Sequence, residues 1–154
     1  MLVYGCHPSD DISMVITPRL EKWFADYETY HRHPSNKKTH YIGVPLILLS
    51  ILGLASLAGE GLLNLASLAF VLVTLWAMRL DWRFGLLFGL AALPFYWLGM
   101  QLSWQINIAL FVIGWIFQLV GHYKYEKKSP ALTKNILQTF IGPMWIFAKV
   151  IGAR

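Results

Sequence analysis

An all-α integral membrane bundle of about four transmembrane helices, with a cytoplasmic amphipathic helix at each end, is the fold class the sequence predicts. Three observations carry this. Of the 154 residues, 56% are hydrophobic and only 14% are charged, too apolar for an ordinary soluble domain. The uncharged residues gather into runs long enough to cross a bilayer. Every Lys and Arg falls on one side of the crossings those runs imply, and the other side carries only Glu60. By the positive-inside rule both termini are then cytoplasmic, in a bacterial inner membrane or the endoplasmic reticulum. Topology explains the net positive charge, so the expected surface partner is the lipid bilayer and not nucleic acid.

In chain order, the first sixteen residues show no period. They have no basic region followed by an apolar stretch, so they do not resemble a signal peptide. Cys6 is the only cysteine, which excludes a disulfide framework, and His7 stands alone. Thr17-Pro18 reads as a helix start, Thr as N-cap and Pro at the first helical position. Leu20, Trp23, Phe24, Tyr27 and Tyr30 then recur at helical spacing, predicting an amphipathic helix over about 18–33 that stops before Pro34. Tyr41 to Gly59 carries no charge and, at nineteen residues, reaches about 28 Å as a helix. The expected spans are about 41–59, 61–79, 84–99 and 104–121. Gly59-Glu60-Gly61 makes the first turn and Arg79 to Arg83 a charged loop. Phe84 to Val120 is divided near Gly99 to Gln105, with Trp97 and Trp104 at the interface. Gly85 and Gly89 form a small-xxx-small pair suited to close helix packing. Ser129-Pro130 reads as a further helix start, predicting an interfacial helix over about 130–141 that Gly142-Pro143 breaks.

The chemistry concentrates in the cytoplasmic layer. Tyr30 to His40 holds three of the five histidines, and His122 follows the last apolar run. His122 and Glu126, four apart on a helix, project from one face. With His31 and His40 they form a candidate metal site, since imidazole and carboxylate suit divalent transition metals: iron(II), but also zinc, copper or nickel. Singly, such histidines are polar tips at an interface; convergence is what makes a site. His33, two residues from His31, faces elsewhere and is placed with Asn36 and Gln118 in the surrounding hydrogen-bonding shell. Gln118 lies one turn before His122; an interhelical hydrogen bond explains it equally well. There is no HExxH, no phosphate-binding glycine loop and no GxSxG. Membrane di-iron desaturases use more histidines, in paired boxes, than the five present here.

Two stretches resemble a known membrane family. The first is Tyr30-His31, Pro34, Asn36 and His40 ahead of Gly43-Val44-Pro45. The second is Gly114-Trp115-Ile116-Phe117-Gln118-Leu119-Val120-Gly121-His122, then Glu126-Lys127 and Pro130-Ala131-Leu132. With the order of apolar runs, they make the chain similar to the 2-hydroxy fatty acid dioxygenases from about residue 20 onward. The resemblance implies an iron(II)-dependent dioxygenase of fatty acid alpha-oxidation that uses O2 to shorten a 2-hydroxy fatty acid by one carbon. It implies His31, His40, His122 and Glu126 as metal-binding and catalytic residues; zinc is compatible with the same donors. His33 and Arg32 depart from the family pattern. Arg32, Lys37, Lys38, Lys127 and Lys128 are candidates to attract the substrate carboxylate. The competing reading is a non-catalytic lipid-binding or scaffolding membrane protein with a structural metal.

Overall fold

The computed structural model describes residues 14–130, 133 and 135–154; Cys6, His7 and the reading of the first residues lie outside them. Six α-helices account for most of the described chain. α1 is Pro18–Glu28, α2 Pro34–Ala55, α3 Leu65–Leu80, α4 Trp82–Gln101, α5 Trp104–Leu119 and α6 Gln138–Ile151. A π-helical turn, Val120–Glu126, continues α5. Between α2 and α3 the chain makes a minimal antiparallel hairpin, β1 (Gly59–Glu60) with β2 (Leu63–Asn64).

Thr17 caps α1 with its side chain and Pro18 opens it. The helix ends at Glu28, five residues short of the expected 33. Thr29, Tyr30 and His31 donate their N–H groups three residues back, to Asp26, Tyr27 and Glu28, which tightens the chain. His33 is then extended, as Pro34 demands of its predecessor. α2 starts at Pro34, so the polar residues up to His40 are the first turns of the long helix, ahead of the span expected from 41. Its 22 residues reach about 33 Å.

Three helices are long and apolar enough to cross a membrane: Pro34–Ala55, Trp82–Gln101 and α5 with its π turn, Trp104–Glu126. α3, expected to span, has 16 residues, about 24 Å, short of the ~30 Å of hydrocarbon. The hairpin takes the residues that would have lengthened it. α3 and α4 pack closely where expected: a Cβ on Gly85 would strike the backbone of Ala77 and Met78, and one on Gly89 the side chain of Thr74.

At the end of the bundle where α2 begins and α5 finishes, α1 and α6 lie together as a cap. Leu20, Phe24 and Tyr27 of α1 join Phe84, Ile141, Met144 and Trp145 in a buried core, while large apolar residues such as Leu72, Leu90 and Ile116 stay on the outer surface of the helices, as lipid contact requires. Asp81 ties cap to bundle. Its carboxylate accepts the N–H groups of Phe84 (3.0 Å) and Thr17 (2.9 Å), capping α4 and holding the start of α1 together. Glu28 joins α1 to α6 through Lys149 (2.7 Å) and the Trp145 indole (2.9 Å).

The C-terminal segment departs from expectation. Among the described residues before Gln138, Pro130 accepts from the Thr133 N–H and hydroxyl in a single turn. The helix is α6, with Gly142 and Pro143 inside it. Packing overrides the break: Ile141, Met144, Trp145 and Ala148 are all buried, and the Tyr27 hydroxyl sits against Gly142.

Candidate metal centre

His31, His40 and His122 come together from three elements, each no more than 2% exposed. His31 sits in the tight turn after α1, His40 in the second turn of α2, and His122 in the π turn. One ligand atom from each lies within 4.8 Å of the other two. π turns inside α-helices often mark functional sites; this one carries His122 inward.

The hydrogen bonds define the chemistry. His31 Nδ1 lies 2.7 Å from the Tyr27 carbonyl and His40 Nδ1 lies 2.9 Å from the Asn36 carbonyl. Carbonyls only accept, so both Nδ1 atoms carry hydrogen and both Nε2 atoms present lone pairs. Those two Nε2 atoms face each other at 3.0 Å. Two lone pairs so close are unfavourable unless a proton or a cation lies between them. Burial pushes the His31 pKa down to about 4 despite the Tyr27 hydrogen bond and the Glu126 charge, so at neutral pH this ring is not the source of such a proton. His122 Nδ1 is buried with no hydrogen-bond partner among the described residues. Nitrogens about 2.1 Å from one ion are about 3.0 Å apart when they subtend a right angle. The chemistry of the donor set therefore suits a divalent transition metal held by three neutral imidazoles, with the Nδ1–H···O=C bonds of His31 and His40 fixing tautomer and orientation of those two rings.

Glu126 is not in this cluster. One carboxylate oxygen accepts the Arg32 N–H (3.0 Å), the other the His33 N–H (2.8 Å) and the Asn36 side-chain amide (3.1 Å). These are the N–H groups left without partners where α1 stops and α2 starts. Glu126, expected as a metal ligand, serves in this structure as a clasp that fastens the His31 turn and the first turn of α2 to the π turn bearing His122. Gly121 lies at the same junction, where a Cβ would collide with Asn36 Oδ1 and Thr39 Oγ1.

The other predicted residues sort by position. Asn36 is fully buried and touches both His40 and Glu126. His33 is exposed; it caps α2 by accepting the Ser35 N–H and stacks on Tyr125. Gln118 is buried beside His122, its side-chain N–H₂ without a partner among the described residues. Arg32 and Lys37, with Glu28, border a polar recess that reaches His31 from outside. Lys38, Lys127 and Lys128 border neither this recess nor the apolar cavity.

That cavity, about 180 Å³, leads away from the other side of the histidines between α2, α3 and α4. Sequence reasoning missed two supports. Tyr27 stacks on His31 at 3.9 Å, and Trp145 packs on Tyr27 and His31. Tyr27 holds His31 through a backbone carbonyl, which has no residue signature, and Trp145 arrives from a helix far along the chain.

Residues 17–154 match the family described as 2-hydroxy-palmitic acid dioxygenase Mpo1-like. The 2-hydroxy-palmitic acid dioxygenase of Saccharomyces cerevisiae is 37% identical over 122 residues, covering 75% of this chain and 69% of the yeast protein. No solved structure matches the chain. A histidine cluster built from both of the stretches that carry the family resemblance, on a scaffold of membrane-length helices, agrees with what these matches establish: the chain belongs to the Mpo1-like family of 2-hydroxy fatty acid dioxygenases.

Proposed function

We propose that this protein is an iron(II)-dependent dioxygenase of fatty acid alpha-oxidation, which takes a 2-hydroxy fatty acid and O2 to the fatty acid one carbon shorter. The observation that carries the reading is the meeting of the His31 and His40 Nε2 lone pairs at 3.0 Å beside His122, in a chain of this family. His31, His40 and His122 would hold the iron. Bound iron(II) supplies redox chemistry toward O2 and a Lewis acid for the oxygens of the substrate.

The chain's own residues do the rest. Arg32 and Lys37 make the recess beside His31 attractive to a carboxylate. The Gln118 amide, buried and unpartnered beside His122, donates a hydrogen bond to a head-group oxygen. The apolar cavity takes the tail, and Tyr27 and Trp145 exclude water from the rings. Glu126 keeps the three imidazoles in register. The cap faces the cytoplasm with both termini, and α3 makes the fourth crossing with help from Leu62 and Leu63 of the hairpin.

The test is elemental analysis of detergent-purified protein beside turnover of 2-hydroxypalmitic acid in O2. The expected result is about one iron per chain, three histidines defining one site, with both iron and turnover lost in His40→Ala and His122→Ala. Full turnover in either variant would exclude this site as the reaction centre. Stoichiometric iron without turnover of any 2-hydroxy acid would favour a structural metal.

A further inference from the structure

The cavity is organised along its length. At its mouth stand the three histidines, Gln118 and Gln138. Further down, its lining on α2 runs from Val44 to Leu52, on α3 from Thr74 to Ala69 and on α4 from Phe88 to Ala92. Thr74 is the one polar side chain in this lower part. From His40 to Leu52 is twelve residues along one helix, about 18 Å. This slightly exceeds half of the ~30 Å hydrocarbon thickness, the depth that one leaflet's acyl chains fill.

At the far end Leu52 and Ala92 are buried. Phe70 lies against Tyr96, ring centroids 5.9 Å apart. The Tyr96 hydroxyl accepts from the Asn64 side chain at 3.2 Å, and Asn64, itself buried, caps α3 and ends the hairpin. Phe70 is the aromatic ring that lines this end of the cavity, and Tyr96 behind it anchors that floor to a turn. Beside it Ala69 and Ala92 line the cavity, small residues where larger ones would shorten the space.

We infer that this cavity measures the acyl chain: Ala69 and Ala92 with the Phe70–Tyr96 floor set the longest 2-hydroxy fatty acid whose head still reaches the histidines. The inference rests on the proposed function for the identity of the ligand. It adds the determinant of chain length, which the histidines cannot supply because they see only the head group.

The experiment is an anaerobic thermal-shift titration of the iron-loaded, detergent-purified protein with straight-chain 2-hydroxy acids shorter than, equal to and longer than 2-hydroxypalmitic acid. Wild type is compared with Ala92→Phe, Ala69→Leu and Phe70→Ala, and affinities are taken as variant-to-wild-type ratios at each length so that micelle partition cancels. Binding strengthens with length until the cavity is full. In Ala92→Phe and Ala69→Leu the plateau comes earlier, with roughly a tenfold loss on the longest acids for every two methylene groups excluded. In Phe70→Ala the plateau moves to longer acids. One plateau length shared by all four proteins overturns the inference. If Ala92→Phe does not fold, Ala69→Leu and Phe70→Ala decide it from opposite directions. The same samples are then exposed to O2. Length-dependent binding that shifts with the variants but yields no shortened product supports the ruler and overturns the dioxygenase reading.

Discussion

A carboxylate that accepts two consecutive backbone N–H groups and an amide N–H has most of its lone pairs committed. Turning either Glu126 oxygen to a metal would draw it away from donors at the start of α2. Hence a graded response is expected. Glu126→Gln puts an NH₂ group against one of those donors and loosens the clasp, weakening iron affinity roughly 10–100-fold, the range for outer partners of metal ligands. His40→Ala removes a ligand and should leave no measurable iron. Anaerobic iron titration of both variants checks this; complete loss in Glu126→Gln would return the carboxylate to the ligand set. The histidines were legible in the sequence because imidazoles gathered at one membrane face have few other uses. The function of Glu126 was not, because its partners are main-chain groups, and a main-chain donor looks the same at every residue.

Among the elements, the joints between helices are the places where single substitutions should act most strongly. Asp81→Ala removes the side-chain cap of α4 and a bond to the N–H of Thr17, the N-cap of α1, together. A loss of about 1–2 kcal/mol is expected from the cap alone, with a lower midpoint in thermal unfolding and little change in iron per folded chain. The joint between α1 and α6 is sensitive to pH. Burial works to raise the Glu28 pKa, but the Lys149 ammonium and the Trp145 N–H outweigh it and hold the carboxyl below its usual range. A carboxyl lowered on folding stabilises the folded state above its unfolded pKa and loses that contribution as pH falls through the folded one. Melting temperature should therefore fall with acidification more steeply in wild type than in Glu28→Gln. Scans from neutral to mildly acidic pH test this, and parallel curves would remove Glu28 from the account. The uncharged runs announced the long helices because hydrocarbon tolerates little else. The π turn escaped notice since seven mostly polar residues are too few to show a period of their own after the α-helix before them. Pro143 misled because a local breaker was set against the burial of a whole helix face, and the burial won.

At the scale of the whole molecule the chain is two layers: a lipid-facing bundle, and a water-side cap with the aromatic core of a soluble protein. The order of the long apolar helices was readable from the uncharged runs alone. The cap was not, since its contacts join α1 to α6 across more than a hundred residues of intervening sequence. The histidine cluster lies at the seam, and His31 borders both the polar recess and the apolar cavity. The centre therefore has one face toward each phase. A lipid substrate of such a centre is delivered sideways, by diffusion in two dimensions, and its effective concentration is its mole fraction in the bilayer and not its amount per volume of water. Adding inert phospholipid should then slow the reaction as surely as withdrawing substrate, while small water-soluble reagents still reach His31 from the other side.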